Sequence, residues 1–391
     1  MSTPGPKRRR SSVPLGFLGT LALIAGVEAT LRRHTDDFSR PESANWNFAS
    51  TRASRDSRNT EVLGLGTSLV KYGVQSRVIQ RVTGKRTYNL AVFGGQMPSS
   101  YFILKQAIAS GAAPKVLLLD CQDGPIPKEH LGERQEGIES NLRWWPQILS
   151  FHDAFDLAWH THDAGLFADI AVAKLLPSYR MRNEVRLSVQ ASLRGQPVFS
   201  TEDIRSLRRN WVMNRGTHVA PRKPSTEPAP SPDSKVSPEP FNKRQFGLNT
   251  LSRVYAQKLF ALTNQNGIRV LWLLPPIGPA AQLDRDRVGL DSYFTELARW
   301  AQSQSNLVTV VDGRRANYSS ATFADTVHLD RSGGYTFSHD VAQVVKHALE
   351  QPETLPRWLE LPPYREIAEN FPVEDVGQSR IAITNDGNAR R

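Results

Sequence analysis

The chain has 391 residues, long enough for one large domain with insertions or for two ordinary domains, and its 39% hydrophobic content suffices for a buried core. This composition excludes a chain that is disordered throughout. The net charge of +11 is accompanied by no recognisable nucleic-acid-binding motif, so no nucleic-acid partner is predicted. The single cysteine, Cys121, excludes an internal disulfide, and we expect it to be a small buried hydrophobic residue.

The N-terminus combines a basic flank at residues 7–10 with an apolar run at 14–27. This layout is typical of an export signal or a short membrane anchor, because the run is shorter than the ~20 residues that span a bilayer comfortably. A buried N-terminal helix is the alternative. Such a helix would need a polar face towards solvent, and no charged residue interrupts the apolar run to provide one. The basic flank predicts a single-pass protein in the cytoplasmic membrane, with its folded part on the extracytoplasmic side, or a secreted protein if the signal is cleaved.

The folded part alternates short apolar runs with helical patterns. The predicted strands cover residues 61–66, 86–92, 115–120, 269–274 and 307–311. Each run precedes a helix, which predicts a flavodoxin-like, doubly wound sheet of five parallel strands with ligands at the carboxyl ends of the strands.

An insertion interrupts this alternation after the third strand. Its first part is helical and aromatic and predicts a cap, while its second part is rich in Pro, Ser and Glu and predicts a disordered loop. The predicted organisation is an export signal or anchor at 1–33, a spacer at 34–57, the α/β domain at 58–140 and 245–350, the cap at 141–218, the loop at 219–244, and a C-terminal strap and tail at 351–391.

A serine follows the first strand and opens the first helix. Ser68 comes directly after Gly66 and Thr67, which places its hydroxyl at the positive end of a helix dipole. Simple helix capping by Thr67 and Ser68 is the structural alternative. A dinucleotide-binding loop is disfavoured, because Leu69 stands where the third glycine of that motif would be.

Two further segments lie near strand ends. Gly94 and Gly95 follow the second strand, where a backbone amide could approach a substrate oxygen, although Gly-Gly is also common in ordinary turns. Asp325 and His328 precede the last helix, where the carboxylate could orient the imidazole towards Ser68. Alternatively, Asp330 would cap the last helix and His328 would be a surface residue.

Together these segments resemble the SGNH (GDSL-like) hydrolase superfamily. The first block of that family matches residues 66–68, with Thr67 in place of the usual aspartate. The second block matches residues 89–95, and the fifth matches Asp325 and His328 closely. The N-terminal segment makes the chain most similar to membrane-anchored members of the kind that act in polysaccharide O-acetylation and teichoic-acid alanylation.

The resemblance implies a nucleophilic Ser68, a basic His328 and an orienting Asp325. It also implies an oxyanion hole formed by the amides of Ser68 and of Gly94 or Gly95. The third-block asparagine of the family is missing, and Gln122 is the nearest side chain that could replace its donor.

We therefore expect a serine esterase or O-acyltransferase acting on acylated small molecules or envelope polysaccharide, without a cofactor or metal. The alternatives are a catalytically inactive binding module for envelope glycans and a structural assembly protein on the same fold. His160 and His162 are predicted to be exposed polar residues rather than metal ligands. Trp144 and Trp145 could line a sugar-binding face of the cap or pack into its core.

Overall fold

A computed structural model of the protein describes residues 15–55, 57–122, 126–127, 144–195, 201–222, 246–247 and 250–388. Its centre is a parallel sheet of the strands β1 Val62–Leu65, β2 Thr87–Asn89, β3 Val116–Leu119, β4 Arg269–Leu274, β5 Val308–Asp312 and β6 Trp358–Glu360. Their order across the sheet is β2-β1-β3-β4-β5-β6. The predicted α/β class with a parallel sheet is confirmed.

The predicted number of five strands is wrong, because the C-terminal strap adds β6 to the edge of the sheet beside β5. This strand is only three residues long and partly exposed, so it lacks the continuous apolar run of a central strand. The strands β1, β3 and β5 are buried along their whole length, as parallel strands covered on both faces should be.

Alternate residues of the strands pack into two separate clusters with helices, so helices cover both faces of the sheet, and further helices build the cap. The α-helices are α1 Leu15–Arg33, α2 Thr35–Phe38, α3 Pro41–Arg55, α4 Ser68–Gly73, α5 Ser76–Thr83, α6 Met97–Ala109, α7 Phe151–His160, α8 Ala164–Leu175, α9 Pro177–Arg180, α10 Arg182–Leu193, α11 Thr201–Met213, α12 Thr250–Gln265, α13 Pro279–Arg287, α14 Leu290–Gln304, α15 Arg331–Glu350 and α16 Val376–Asn388. Two short 3₁₀ helices, Trp145–Gln147 and Ser320–Thr322, and an antiparallel pair of two-residue strands, Ile126–Pro127 with Phe246–Gly247, complete the described elements.

The segment 34–57, predicted to be a spacer, differs most from its prediction. Most of it is α3, which packs against α6 and buries Trp46 and Ala49 completely. The helix is polar on average, and its buried positions are mostly small residues, so its apolar face is inconspicuous in the sequence. Asn45 accepts a hydrogen bond from the amide of Phe93 and Trp46 donates one to its carbonyl, so α3 anchors the loop after β2.

The predicted cap is helical, from α7 to α11. Trp144 and Trp145 are buried in its core and do not form an exposed sugar-binding face. Residues 223–244 of the predicted disordered loop lie outside the described residues, whereas Val219 and Ala220 are buried. The predicted C-terminal tail contains α16, which packs against α11.

At the N-terminus, α1 occupies most of the predicted signal or anchor. Over the part of the chain that the structure describes, no helix has both the length and the apolar character needed to cross a membrane. Residues 1–14, with the basic flank, lie outside that part.

Candidate active site

The turn between β1 and α4 presents Ser68 to solvent. Gly66 adopts a left-handed φ of +121°, and Thr67 caps α4 by accepting a hydrogen bond from the amide of Leu69 at 3.1 Å. Ser68 is thus the first helical residue rather than the cap. An amide at this position has no partner within the helix, so its N–H can bind a substrate oxygen.

Ser68, His328 and Asp325 form one chain of hydrogen bonds. The Oγ of Ser68 lies 2.7 Å from Nε2 of His328, and Nδ1 of His328 lies 2.7 Å from Oδ2 of Asp325. The structure thus brings together the three residues that the sequence places at separate strand ends. This is the geometry of a serine nucleophile, a general base and an orienting carboxylate.

The loop that carries the acid and the base is closed by its own backbone. Oδ1 of Asp325 accepts hydrogen bonds from the amides of Val327 and His328, at 2.9 and 2.8 Å. The amide of Ala324 donates to the carbonyl of His328 at 2.8 Å. Asp330 then caps α15 through the amides of Ser332 and Gly333. The predicted helix-capping role of Asp330 therefore coexists with an inward-facing His328.

The charge of Asp325 is set by its contact with the imidazole. Desolvation raises the pKa of this carboxyl, but the hydrogen bond and charge of His328 and two backbone amides lower it to about 2. Asp325 is therefore ionised at neutral pH. Its Oδ2 can hold the Nδ1–H of His328, which leaves Nε2 free to accept the proton of Ser68.

The glycines and the glutamine predicted for the oxyanion hole differ in their placement. Gly94 lines the same cavity as Ser68. Gly95 is used structurally, because its amide donates to Val92 and a Cβ on it would lie 2.2 Å from the carbonyl oxygen of Gly66. Gln122 does not line this cavity.

Instead, Oε1 of Gln122 accepts a hydrogen bond at 2.9 Å from Arg285 on α13. Burial lowers the pKa of Arg285 to about 10, so the guanidinium remains charged at neutral pH and continues to donate to Oε1 of Gln122. Among the described residues that follow β3, none therefore replaces the missing asparagine in the cavity.

The nucleophile and base open into a cavity of about 530 Å³. Its wall combines apolar surface with a few charged groups, contributed by α3, α4, α11, α16, the turn after β2 and the segments that carry His218 and His328. Besides Ser68, Gly94 and His328, the lining residues are Pro41, Glu42, Tyr72, Phe93, Asp203, Ser206, Leu207, His218, Val376 and Arg380.

Sequence reasoning missed several aromatic residues beside the nucleophile. The ring of Tyr72 stacks on His328, with centroids 4.4 Å apart, and also contacts His218 at 4.4 Å. Phe93 packs against His218 with its edge, at 5.7 Å. Tyr72 lies one helical turn after Ser68, and this spacing could have identified it as a residue of the site. His218 belongs to no motif and reaches the site only through long-range packing.

The described residues contain no group of three or more His, Cys, Asp or Glu side chains that could hold a metal ion. His160 lies 3.5 Å from Asp156, its neighbour one turn earlier in α7. Cys121 is buried beyond the end of β3. The arrangement of Ser68, His328 and Asp325 is suited to nucleophilic acyl substitution. No family model matches the chain and no curated protein matches it either, so the geometry of this cavity is the basis for assigning a function.

Proposed function

We propose that the protein is a serine esterase or O-acyltransferase of the SGNH-like type. The observation that carries this proposal is the continuous hydrogen-bonded chain from Ser68 through His328 to Asp325, with both links 2.7 Å long, opening into a cavity. A capping serine and a surface histidine that met by chance would require neither this alignment nor a neighbouring carboxylate with a lowered pKa.

The reaction follows from the placement of these groups. Oγ of Ser68 adds to the ester carbonyl carbon while Nε2 of His328 takes the hydroxyl proton, and the carbonyl oxygen becomes an oxyanion near the amides of Ser68 and Gly94. The carbon–oxygen bond to the alcohol then breaks, and His328 returns the proton to the departing alkoxide. Water or an acceptor hydroxyl attacks the acyl-Ser68 ester by the same sequence of steps.

We further propose acylated envelope polysaccharide as the substrate class, with an extracytoplasmic site beside the membrane. The resemblance of residues 66–68 and 325–328 to anchored acyl-transfer proteins supports this assignment, as does the basic and apolar layout of the N-terminus. The cavity is compatible with a small acyl group next to a polar acceptor. Leu207 and Val376 offer apolar surface, and Glu42 contributes a carboxylate.

A catalytically inactive glycan-binding module is the second candidate. The observation that favours it is that Gln122, which accepts a hydrogen bond from Arg285, does not line the cavity, so none of the described residues after β3 replaces the third oxyanion donor of the family. Loss of one such donor typically lowers the rate by a factor on the order of 10² to 10³.

Serine-dependent ester cleavage separates the two candidates. The full chain, its Ser68→Ala variant and a Ser303→Ala control on the exposed end of α14 are compared for release of p-nitrophenolate from p-nitrophenyl acetate. We expect the wild type and the control to turn over equally and Ser68→Ala to lose a factor of about 10³ or more. A fluorophosphonate probe should label the wild type and the control but not Ser68→Ala. Equal, background-level release by all three proteins, with no labelling, would favour the binding module.

A further inference from the structure

His218 lines the cavity and can supply the oxygen-binding donor that the missing asparagine would otherwise provide. This residue follows α11 in a segment bonded to the active-site helix. The amide of His218 donates to the carbonyl of Lys71 at 2.9 Å, and the hydroxyl of the preceding Thr217 donates to the carbonyl of Val74 at 2.8 Å. His218 is only 8% exposed, and that exposure is within the cavity that Ser68 also lines.

The hydrogen bond from Trp211 fixes the tautomer of His218. Nε1 of the fully buried Trp211 lies 3.1 Å from Nδ1 of His218. Because an indole nitrogen can only donate, Nδ1 must accept, and a neutral ring then carries its proton on Nε2. Among the residues that the structure describes, Nε2 has no hydrogen-bond partner of its own. With Nδ1 directed at Trp211, Nε2–H is the polar edge of the ring that remains for a ligand.

The surroundings keep this ring neutral and immobile. Burial lowers the pKa of His218 to about 3. Tyr72 packs against the ring at 4.4 Å and Phe93 at 5.7 Å, so two aromatic side chains hold its orientation. A neutral, fixed imidazole donates a hydrogen bond without placing a positive charge beside His328, which must itself accept a proton.

The position of the ring relates it to the carbonyl site. Phe93, which packs on His218, immediately precedes Gly94 of the proposed oxyanion hole, and Tyr72 connects His218 to His328. Tyr72 therefore separates the two imidazole rings, and His218 lines the same cavity as Gly94, Ser68 and His328. Of the described residues that follow β3, Gln122 does not line the cavity and the Asp120 carboxylate can only accept, so neither supplies this donor.

We propose that His218 is a catalytic residue whose Nε2–H donates the third hydrogen bond to the carbonyl oxygen of an ester substrate. This inference rests on the proposed acyl-transfer function. When Ser68 adds to the carbonyl carbon, the electron pair of the C=O π bond moves to the oxygen. That oxygen then accepts hydrogen bonds from the amides of Ser68 and Gly94 and from His218. His218 keeps its proton throughout, whereas His328 takes the proton from Ser68 and returns it to the leaving alcohol.

His218→Phe tests this role, because it removes the donor but retains a planar ring between Tyr72 and Phe93. His218→Gln offers an amide donor in its place, and His152→Phe, at an exposed position on α7, is the matched control. Turnover of p-nitrophenyl acetate by the full chain and inhibition by a boronic acid, which mimics the tetrahedral intermediate, are measured for each variant.

We expect His218→Phe to lower kcat by a factor on the order of 10² with little change in KM, and to weaken boronic-acid binding by a similar factor. His218→Gln should recover part of both losses, and His152→Phe should match the wild type. If His218→Phe retains kcat and boronic-acid affinity within about threefold, while Ser68→Ala is inactive, the proposed role of His218 is wrong and the esterase function stands. If the wild type itself has no Ser68-dependent activity, the proposed function fails first.

Trp211→Phe provides a second test should His218→Phe fail to fold. It leaves His218 in place but removes the donor that sets its tautomer, so Trp211 acts as a positioning residue. The ¹⁵N chemical shifts of His218 should report the Nε2–H tautomer in the wild type and a mixture in the variant, with a parallel loss in kcat. A wild-type ring protonated on Nδ1 would overturn the proposal.

Discussion

The carboxylate of Asp120 holds Thr67 by two hydrogen bonds, one to Oδ1 from the Thr67 amide at 2.7 Å and one to Oδ2 from its hydroxyl at 2.6 Å. Both residues are buried, and they join the end of β3 to the turn that carries Ser68. Hydrogen bonds to a buried carboxylate are stronger than those between neutral groups, so this pair fixes the direction in which α4 begins.

Thr67→Val should loosen this connection. The variant keeps the shape of the side chain but removes the hydroxyl that donates to Asp120 and accepts from Leu69, which should cost about 1–3 kcal/mol of unfolding free energy. Because Ser68 is the next residue, a small displacement should also reduce ester turnover roughly ten- to a hundredfold. Urea unfolding and p-nitrophenyl acetate kinetics measure the two effects. Thr67→Ser, which restores the hydroxyl, should recover most of both, and a Thr67→Val protein indistinguishable from wild type would contradict the argument.

Gly66→Ala should be much more damaging than the same change at another left-handed glycine. Gly66 has a φ of +121°, and a Cβ on it would lie 1.9 Å from Oδ1 of Asp120. Gly84, the C-cap of α5, has a φ of +69° and nothing within 4 Å of a Cβ. Gly84→Ala should therefore cost only the backbone term of about 1–2 kcal/mol, whereas Gly66→Ala must also displace a buried carboxylate. Thermal unfolding of the two variants side by side measures the difference, and equal losses would show that the turn relaxes freely.

The positions of Ser68, Asp325 and His328 were predictable because the carboxyl ends of parallel strands meet at one edge of a sheet. Ser68 directly follows the apolar run of β1, whereas Asp325 and His328 lie 13 and 16 residues after the end of β5 and were identified by their spacing just before the last helix. The sixth strand and α3 were not predictable in the same way, since Trp358–Glu360 is too short for a periodic pattern and α3 buries mostly small residues. His218 was missed because its place depends on contacts with Trp211 and Lys71 that only the folded chain creates.

Lys71→Met should stabilise the protein at neutral pH. Lys71 is fully buried between the rings of Phe48 and Trp211, and its amine has no hydrogen-bond partner among the described residues. Burial holds the pKa of this amine well below its ordinary value of 10.5. The unfolded chain therefore binds a proton at Lys71 that the folded protein does not bind, and this difference favours unfolding as the pH falls below about 10.5.

Each pH unit between the unfolded and folded pKa values of Lys71 adds about 1.4 kcal/mol to this penalty. Lys71→Met removes the penalty, so its advantage over wild type should be large at pH 7 and shrink as the pH approaches 10. Urea unfolding at pH 7, 8.5 and 10 gives the comparison, with Lys115→Met, at an exposed position, expected to show no such trend. A Lys71→Met protein that is less stable than wild type by the same amount at every pH would indicate that the amine contributes favourably.

Asp325→Asn should abolish most of the activity while leaving the fold intact. The amide retains the size of the carboxylate but cannot stabilise a protonated His328, so ester turnover should fall by a factor of about 10³ to 10⁴.

The folded pKa of Asp325, about 2, lies below the ordinary value of 3.8, so the carboxylate stabilises the protein above about pH 4 and loses this effect as the pH falls through 2. Because the side chain is half exposed, the stabilisation should stay below about 1 kcal/mol. Thermal unfolding from pH 2 to 8 should therefore show a small wild-type advantage over Asp325→Asn that is constant above pH 5 and vanishes near pH 2. Asp284→Asn, which removes a surface ion pair with Arg287, should leave turnover unchanged. A variant with Asn at 325 that kept more than a tenth of wild-type turnover would remove Asp325 from the catalytic chain and leave His328 as an unassisted base.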